Sequence, residues 1–319
     1  MVVYAEKKLP KKIDNNIVIF QTISSKKINF SNTLKIFNFL IINIKYLLLD
    51  VKYFLFKISN YNNFSNCFLN NFKNYINKDL KELLILYEGQ PFQNNLINYI
   101  KKKKLNITTS GHVHSPPLAL PTNFVHKFNS PDKIFLNGTD QVHCFNKILG
   151  WKKNKIKLIP SSRFLKNSVK MNSKIYLPFN IKCEKIVLSS LRYLISEYKI
   201  DIKNFHIKAH PITKSSKEIK KIVRKIKLIM KESKLLEIKK KKHNISIFIG
   251  TSGAIIEALE RGTKVIHITE DPVLDLYSDM IWRSIKTKNI NKNIFFYSLK
   301  KKGNLIKFGN NTRDLKKIF

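Results

Sequence analysis

The sequence predicts an α/β protein built from two Rossmann-like domains facing across a cleft. Three observations carry that expectation. Short apolar runs such as Leu83–Tyr87, Ile134–Leu136 and Ile245–Ile249 recur along the chain. Polar or glycine-containing loops follow them, and helical stretches follow the loops. The run Ile245–Ile249, loop Gly250–Gly253, helix Ala254–Arg261, stop at Gly262 and strand Lys264–Ile268 makes a complete βαβ unit.

Composition sets the outer limits. At 319 residues and 43 % hydrophobic, the chain is long enough for two domains with real cores. Sixty Lys and Arg against 21 Asp and Glu give a net charge of +39. Such a charge suits an anionic partner. Lys, Asn and Ile are inflated together, however, as a compositional bias would produce. The densest basic runs, Lys101–Lys104 and Lys239–Lys242, have no interleaved aromatics, and no zinc-finger or RNA-binding signature is present. These features argue against nucleic acid. Cys67, Cys144 and Cys183 are too few and too scattered for a disulfide framework or a cysteine metal site. Met1–Asp14 is polar and lacks the apolar core of a signal peptide, so the expected location is cytoplasmic, peripheral to the inner membrane face.

Taken in order, Ile17–Ile23 reads as a first strand. Leu34–Ile58 is the most apolar stretch, but its longest uncharged run, Ile36–Ile44, is far short of the roughly 20 residues a spanning helix needs. At helical spacing its polar residues fall within one half-circle, which defines an amphipathic helix. The expectation is packing on its own domain, with most of Phe37, Leu40, Ile44, Leu48 and Leu55 buried. The alternative is a basic helix lying on an anionic membrane. Asn60–Lys78 reads as loop and short helix. Strand Leu83–Tyr87, helix Phe92–Lys103, strand Ile107–Ser110, loop Gly111–Pro117, strand Ile134–Leu136, helix Thr139–Leu149 and strand Ile156–Ile159 complete an N-terminal domain, residues 1–165. The polar segment Leu165–Ser173 is the candidate linker. The C-terminal domain, 174–319, holds strand Ile175–Pro178, helix Cys183–Tyr198, strand Phe205–Ala209, helix Ser215–Ile226, the βαβ unit and a lysine-rich tail.

In such domains ligands bind outside the carboxyl ends of the strands. Two stretches are expected there, on adjacent strands of one sheet. Lys208-Ala-His-Pro211 ends one strand, and His210 could donate to a phosphate oxygen. In the other, Gly250 and Gly253 let backbone approach a ligand, while Thr251 and Ser252 offer hydroxyls beside the N–H groups of a helix start. Ordinary alternatives are a turn histidine and a helix N-cap. Glu257, one turn into the helix, could take both hydroxyls of a ribose or be a plain helix-face acid. Glu88 follows a buried strand, where partial desolvation would suit a general base. His112 and His114 form a His-x-His pair without an evident third ligand, so contact with a substrate hydroxyl is preferred over metal.

Together, Tyr87-Glu-Gly-Gln-Pro91, Gly111-His-Val-His-Ser115 and Pro131-Asp-Lys-Ile-Phe-Leu-Asn-Gly138 resemble bacterial surface-carbohydrate biosynthesis proteins of the glycosyltransferase type. Lys208–Pro211 and Thr251–Leu259, with Gly262–Ile266, resemble their nucleotide-binding domain. The His-Pro and Ser/Thr motifs are also similar to those of bacterial sialyltransferases and polysialyltransferases. The resemblance spans about Leu83 to Ile268 and implies the GT-B arrangement. It further implies that His210, Thr251 and Ser252, with Lys208, Gly253 and Glu257, hold the phosphate and ribose of a nucleotide-sugar, CMP-linked in the sialyltransferases. The family's acidic motif pairs two acids before a glycine; here Tyr87 takes the first place and Glu88 the second. The implied reaction is sugar transfer to a surface glycan or lipid-linked acceptor. It needs no metal or cofactor, and Glu88 or His114 is the base. A nucleotide-sugar 2-epimerase and a non-catalytic basic binding module are the competing readings.

Overall fold

The computed structural model describes residues 2–5 and 18–21, scattered positions between 37 and 73, and residues 80–166, 171–234 and 244–310. It is mixed α/β with parallel sheets, and five helices lie among the described residues. The chain divides into two compact units, Met1–Ser110 with Lys127–Asp132, and Gly111–His126 with Lys133–Phe319. The expected linker, Leu165–Ser173, falls within the second unit.

In the first unit, β1 (Val2–Ala5) pairs in parallel with β2 (Val18–Gln21). β3 (Glu82–Leu86) leads through a short loop into α1 (Pro91–Lys102). Proline at the first helical position loses only an N–H that would be unsatisfied anyway. Leu96 and Ile100, four apart on α1, are buried with Phe68, Phe72 and Ile107. β4 (Thr108–His112) starts beside β3, with Thr108 N donating to Lys81 O at 2.8 Å. Its last two residues belong to the second unit. Asp132 accepts from Thr109 N and Oγ1 at 2.9 and 2.7 Å and pairs with Lys101 at 3.3 Å. These contacts hold its carboxyl below the usual range against the opposing effect of burial.

The amphipathic stretch differs from expectation. Phe37 and Ile44 are helical and exposed, at 61 and 56 %, rather than packed on the domain. Leu40, Leu48 and Leu55 lie outside the described residues.

After Gly111–His126 the second unit resumes with β5 (Lys133–Leu136), α2 (Thr139–Lys147) and β6 (Ile156–Leu158), the two strands parallel. Trp151 is fully buried, its indole N–H on Phe124 O at 2.7 Å. β7 (Ser161–Leu165) follows directly. Next come β8 (Lys174–Tyr176), α3 (Glu184–Ser196), β9 (His206–Lys208), α4 (Lys217–Lys234), β10 (Ile245–Ile249), α5 (Ala254–Glu260) and β11 (Lys264–Ile268). The expected tail is not a tail. Ile285–Asn291 (β12) and Ile294–Leu299 (β13) add an antiparallel hairpin to the sheet, and β14 (Phe308–Gly309) pairs with β7. The six-stranded order is β12-β13-β11-β10-β8-β9.

Side-chain alternation explains why its central strands read as continuous apolar runs. Ile175, Ile247, Ile249, Ile266 and Ile294 face α3 and α4. Tyr176, Phe248, Val265, Phe295 and Tyr297 face α5 and the C-terminal segment. Both faces are covered, so every position must be apolar or paired.

Candidate functional site

β8, β9, β10 and β11 run parallel, so their carboxyl ends share one edge. Lys208, His210, Thr251, Ser252 and Gly253 all sit on that edge. β9 and β10 are not neighbours, however, because β8 lies between them. Tyr176 of β8 is level with Lys208 on one side and Phe248 on the other.

The loop after β10 is built by glycine. Gly250 has φ +65, a left-handed conformation that favours glycine, and a Cβ there would lie 3.2 Å from Pro178. A Cβ on Gly253 would lie 3.1 Å from Pro116 O. The close approaches at both glycines are therefore made by the protein's own prolines. Ser252 Oγ accepts from Ala254 N at 3.2 Å, a turn contact just ahead of the helix, whose N-cap is Gly253, and its proton stays available for donation. Thr251 Oγ1 is buried with no hydrogen-bond partner among the described residues.

On β9's exit, His210 Nδ1 accepts from Ile212 N at 3.3 Å. A ring nitrogen that accepts is unprotonated, so in the neutral imidazole Nε2 carries the proton and is a donor. Phe179 packs edge-on against the ring, with centroids 5.7 Å apart. Thr213, whose N donates to His210 O, also has a buried Oγ1 without a partner among the described residues. Lys208 is exposed and holds its ammonium 5.6 Å from the Tyr176 ring centre. Tyr176 stacks on Phe248 at 4.3 Å. Burial pushes the Tyr176 phenol up to about 12, and the Glu257 carboxylate adds to the shift.

Glu257 itself is engaged. It forms a 2.9 Å ion pair with Arg261 Nε. Arg261 also donates to Leu165 O and lies over the Phe308 ring.

A network that sequence reading missed fixes the loop from below. His267 is fully buried between Gly250 O at 3.1 Å and the Tyr297 hydroxyl at 3.0 Å. Tyr277 OH donates to Ser252 O at 3.2 Å, and Tyr297 OH accepts from Tyr277 N. Burial lowers His267 to about 4, so its ring is neutral, with the proton on the nitrogen facing Gly250 O. Two of the loop's carbonyls are thus tied down. The only sequence signal was a polar residue, His267, inside a run of apolar strand residues.

The His-x-His loop reaches this loop through Pro116. Ser115 Oγ accepts from Arg163 Nη1, and Pro116 packs on Gly253. His112 proves to be the last residue of β4, fully buried, with neither ring nitrogen hydrogen-bonded among the described residues. Burial first, then His114, lowers its pKa to about 4. Among the described residues no group of three or more His, Cys, Asp or Glu could hold a metal ion.

Glu88 belongs to the first unit and the other candidates to the second. Its N donates to Gln93 Oε1 at 2.9 Å, and Gln93 also takes Gln90 N, so α1's capping box fixes the Glu88 loop. Gly89, at φ +68, makes the turn. Tyr87 points inward instead, buried and donating to Asn94 at 2.9 Å.

No protein-family model matches the chain, and a search of curated proteins finds no match. Among the described residues no helix is long and apolar enough to cross a membrane.

Proposed function

We propose that the chain is a GT-B-type glycosyltransferase that moves a sugar from a nucleotide-activated donor to a surface glycan or lipid-linked acceptor. The donor's phosphate sits at the carboxyl edge of the six-stranded sheet. The observation that carries this reading is the buried Thr251 hydroxyl, without a partner among the described residues, on the same edge as the His210 Nε2 donor. An unsatisfied buried hydroxyl costs about 1–3 kcal/mol, and a phosphate oxygen would satisfy it. Thr251 donates to that oxygen, His210 to the same phosphate group from the exit of β9, and Lys208 contributes charge. Developing negative charge on the leaving phosphate is then met by fixed donors, which is electrostatic stabilisation of the departing group. Ser252 donates its remaining proton. Glu257, already paired with Arg261, is given no ribose role.

Glu88 takes the acceptor hydroxyl's proton, with His114 the second candidate. The Pro116–Gly253 contact supports a role for the His114 loop beside the phosphate site. A thermal-shift screen against CMP-, UDP-, GDP- and CDP-activated sugars tests the proposal, since a ligand of the native state raises its melting temperature. Transfer to an added acceptor distinguishes it from epimerisation, which needs none. Steep, salt-dependent DNA binding without any nucleotide shift would replace it with the binding-module reading.

A further inference from the structure

Phe37, Ile41, Ile44 and Val51 are helical, and they are 61, 53, 56 and 55 % exposed. Side chains of this kind are normally among the most buried. Their spacing of four, three and seven residues places them within an arc of about 80° on a helix of 3.6 residues per turn. The stripe therefore faces one way. In the sequence Leu48, Leu55 and Ile58 continue the same period. An exposed apolar stripe with polar flanks is a contact surface.

Charge selects the occupant. Lys45 and Lys52 directly follow Ile44 and Val51, with Lys35 and Lys57 further round. Asp50 is the one acid between positions 34 and 58. A second copy would bring two basic helices, and two chains of net charge +39, against each other. An anionic lipid surface satisfies both halves of the pattern. Its acyl boundary takes the stripe, and its headgroups attract the lysines that the sequence places beside it. The longest uncharged run, Ile36–Ile44, is too short to span, so the helix lies in the interface plane. We propose that the helical segment bearing Phe37, Ile41, Ile44 and Val51 docks the protein on anionic membranes, its apolar stripe set at the headgroup boundary. The catalytic proposal is independent of this one.

The test is co-sedimentation of the full chain with phosphatidylcholine vesicles containing about 30 % phosphatidylserine, and with phosphatidylcholine alone. The wild type should bind the anionic vesicles and bind neutral ones more weakly. Phe37→Glu with Ile44→Glu should weaken anionic binding at least about tenfold. Because both sites are exposed, thermal unfolding should be unchanged; Ile41→Ser with Val51→Ser is the second variant should the first fail to fold. Lys45→Gln with Lys52→Gln should weaken binding and flatten its salt dependence. Undiminished binding by both stripe variants would overturn the proposal, leaving general basic charge as the cause. A wild type that ignores anionic vesicles would also overturn it. So would a wild-type dimer that the stripe variants convert to monomer, because the stripe would then belong to a second copy.

Discussion

Pro116 lies so close to Gly253 that a Cβ at 253 would sit 3.1 Å from the proline carbonyl oxygen. This seats the loop that carries His114 against the entry to α5. Pro116 is followed by Pro117, so the loop backbone yields little. Gly253→Ala should cost about 1 kcal/mol and lower the melting temperature by roughly 2–4 °C. An unchanged melting temperature would show that the loop gives way.

Gly138 has a harsher neighbour. A Cβ there would fall 2.1 Å from Leu305 O and 2.5 Å from Asn304 O. Asp140 N donates to Asn304 O, and Gln141 Nε2 to Leu305 O, so the two segments are pinned together. Gly138→Ala should therefore destabilise by more than about 3 kcal/mol, read from the urea midpoint. A loss below about 1 kcal/mol would mean that the 304–305 segment moves aside.

Stability should fall with acid. His112 and His267 are both lowered to about 4 in the folded protein, against about 6.5 for an unfolded imidazole. Between those values the unfolded chain binds more protons, so stability rises with pH. Their contribution is complete above about pH 6.5 and is lost as the pH falls towards 4. Each imidazole adds a slope of up to about 1.4 kcal/mol per pH unit. Urea midpoints across this range should show the slope, and His267→Gln should reduce it. An unchanged slope in that variant would mean His267 does not titrate this way.

Glu88→Gln keeps shape and hydrogen bonding but removes basicity. Turnover should drop by roughly 10²–10⁴ with nucleotide affinity nearly unchanged. Wild-type turnover in Glu88→Gln, with activity abolished by His114→Ala, would pass the role to His114. Full activity in both would remove the two from the mechanism.

Where burial on both faces dictated sequence, the sequence was legible. β10 and β11 match the expected Ile245–Ile249 and Lys264–Ile268 because each is an apolar run closed by polar or glycine residues. β12 was missed because an edge strand can carry Lys and Asn on its open side, and Ile285–Asn291 reads as polar. Strand order is not local, so nothing in the sequence told that β8 separates β9 from β10. The His267, Tyr277 and Tyr297 network joins residues ten to thirty apart, and no motif marks it. Thr251 and His210 were visible in sequence, whereas the Thr213 hydroxyl, buried without a partner among the described residues, needed the fold. The helical stripe was visible as amphipathic, but only burial could tell which way its apolar side faced.

The phosphate site is tested most directly by measuring nucleotide affinity and unliganded stability together for Thr251→Val. Valine keeps the shape and deletes the hydroxyl that has no partner among the described residues. Without ligand the variant should be as stable as the wild type, or more stable by about 1 kcal/mol. Its affinity for the nucleotide-sugar selected by the thermal-shift screen should fall by about 1–3 kcal/mol, with a similar loss in His210→Ala and Ser252→Ala. Unaltered affinity in Thr251→Val and His210→Ala would contradict the assignment of this sheet edge as the phosphate site.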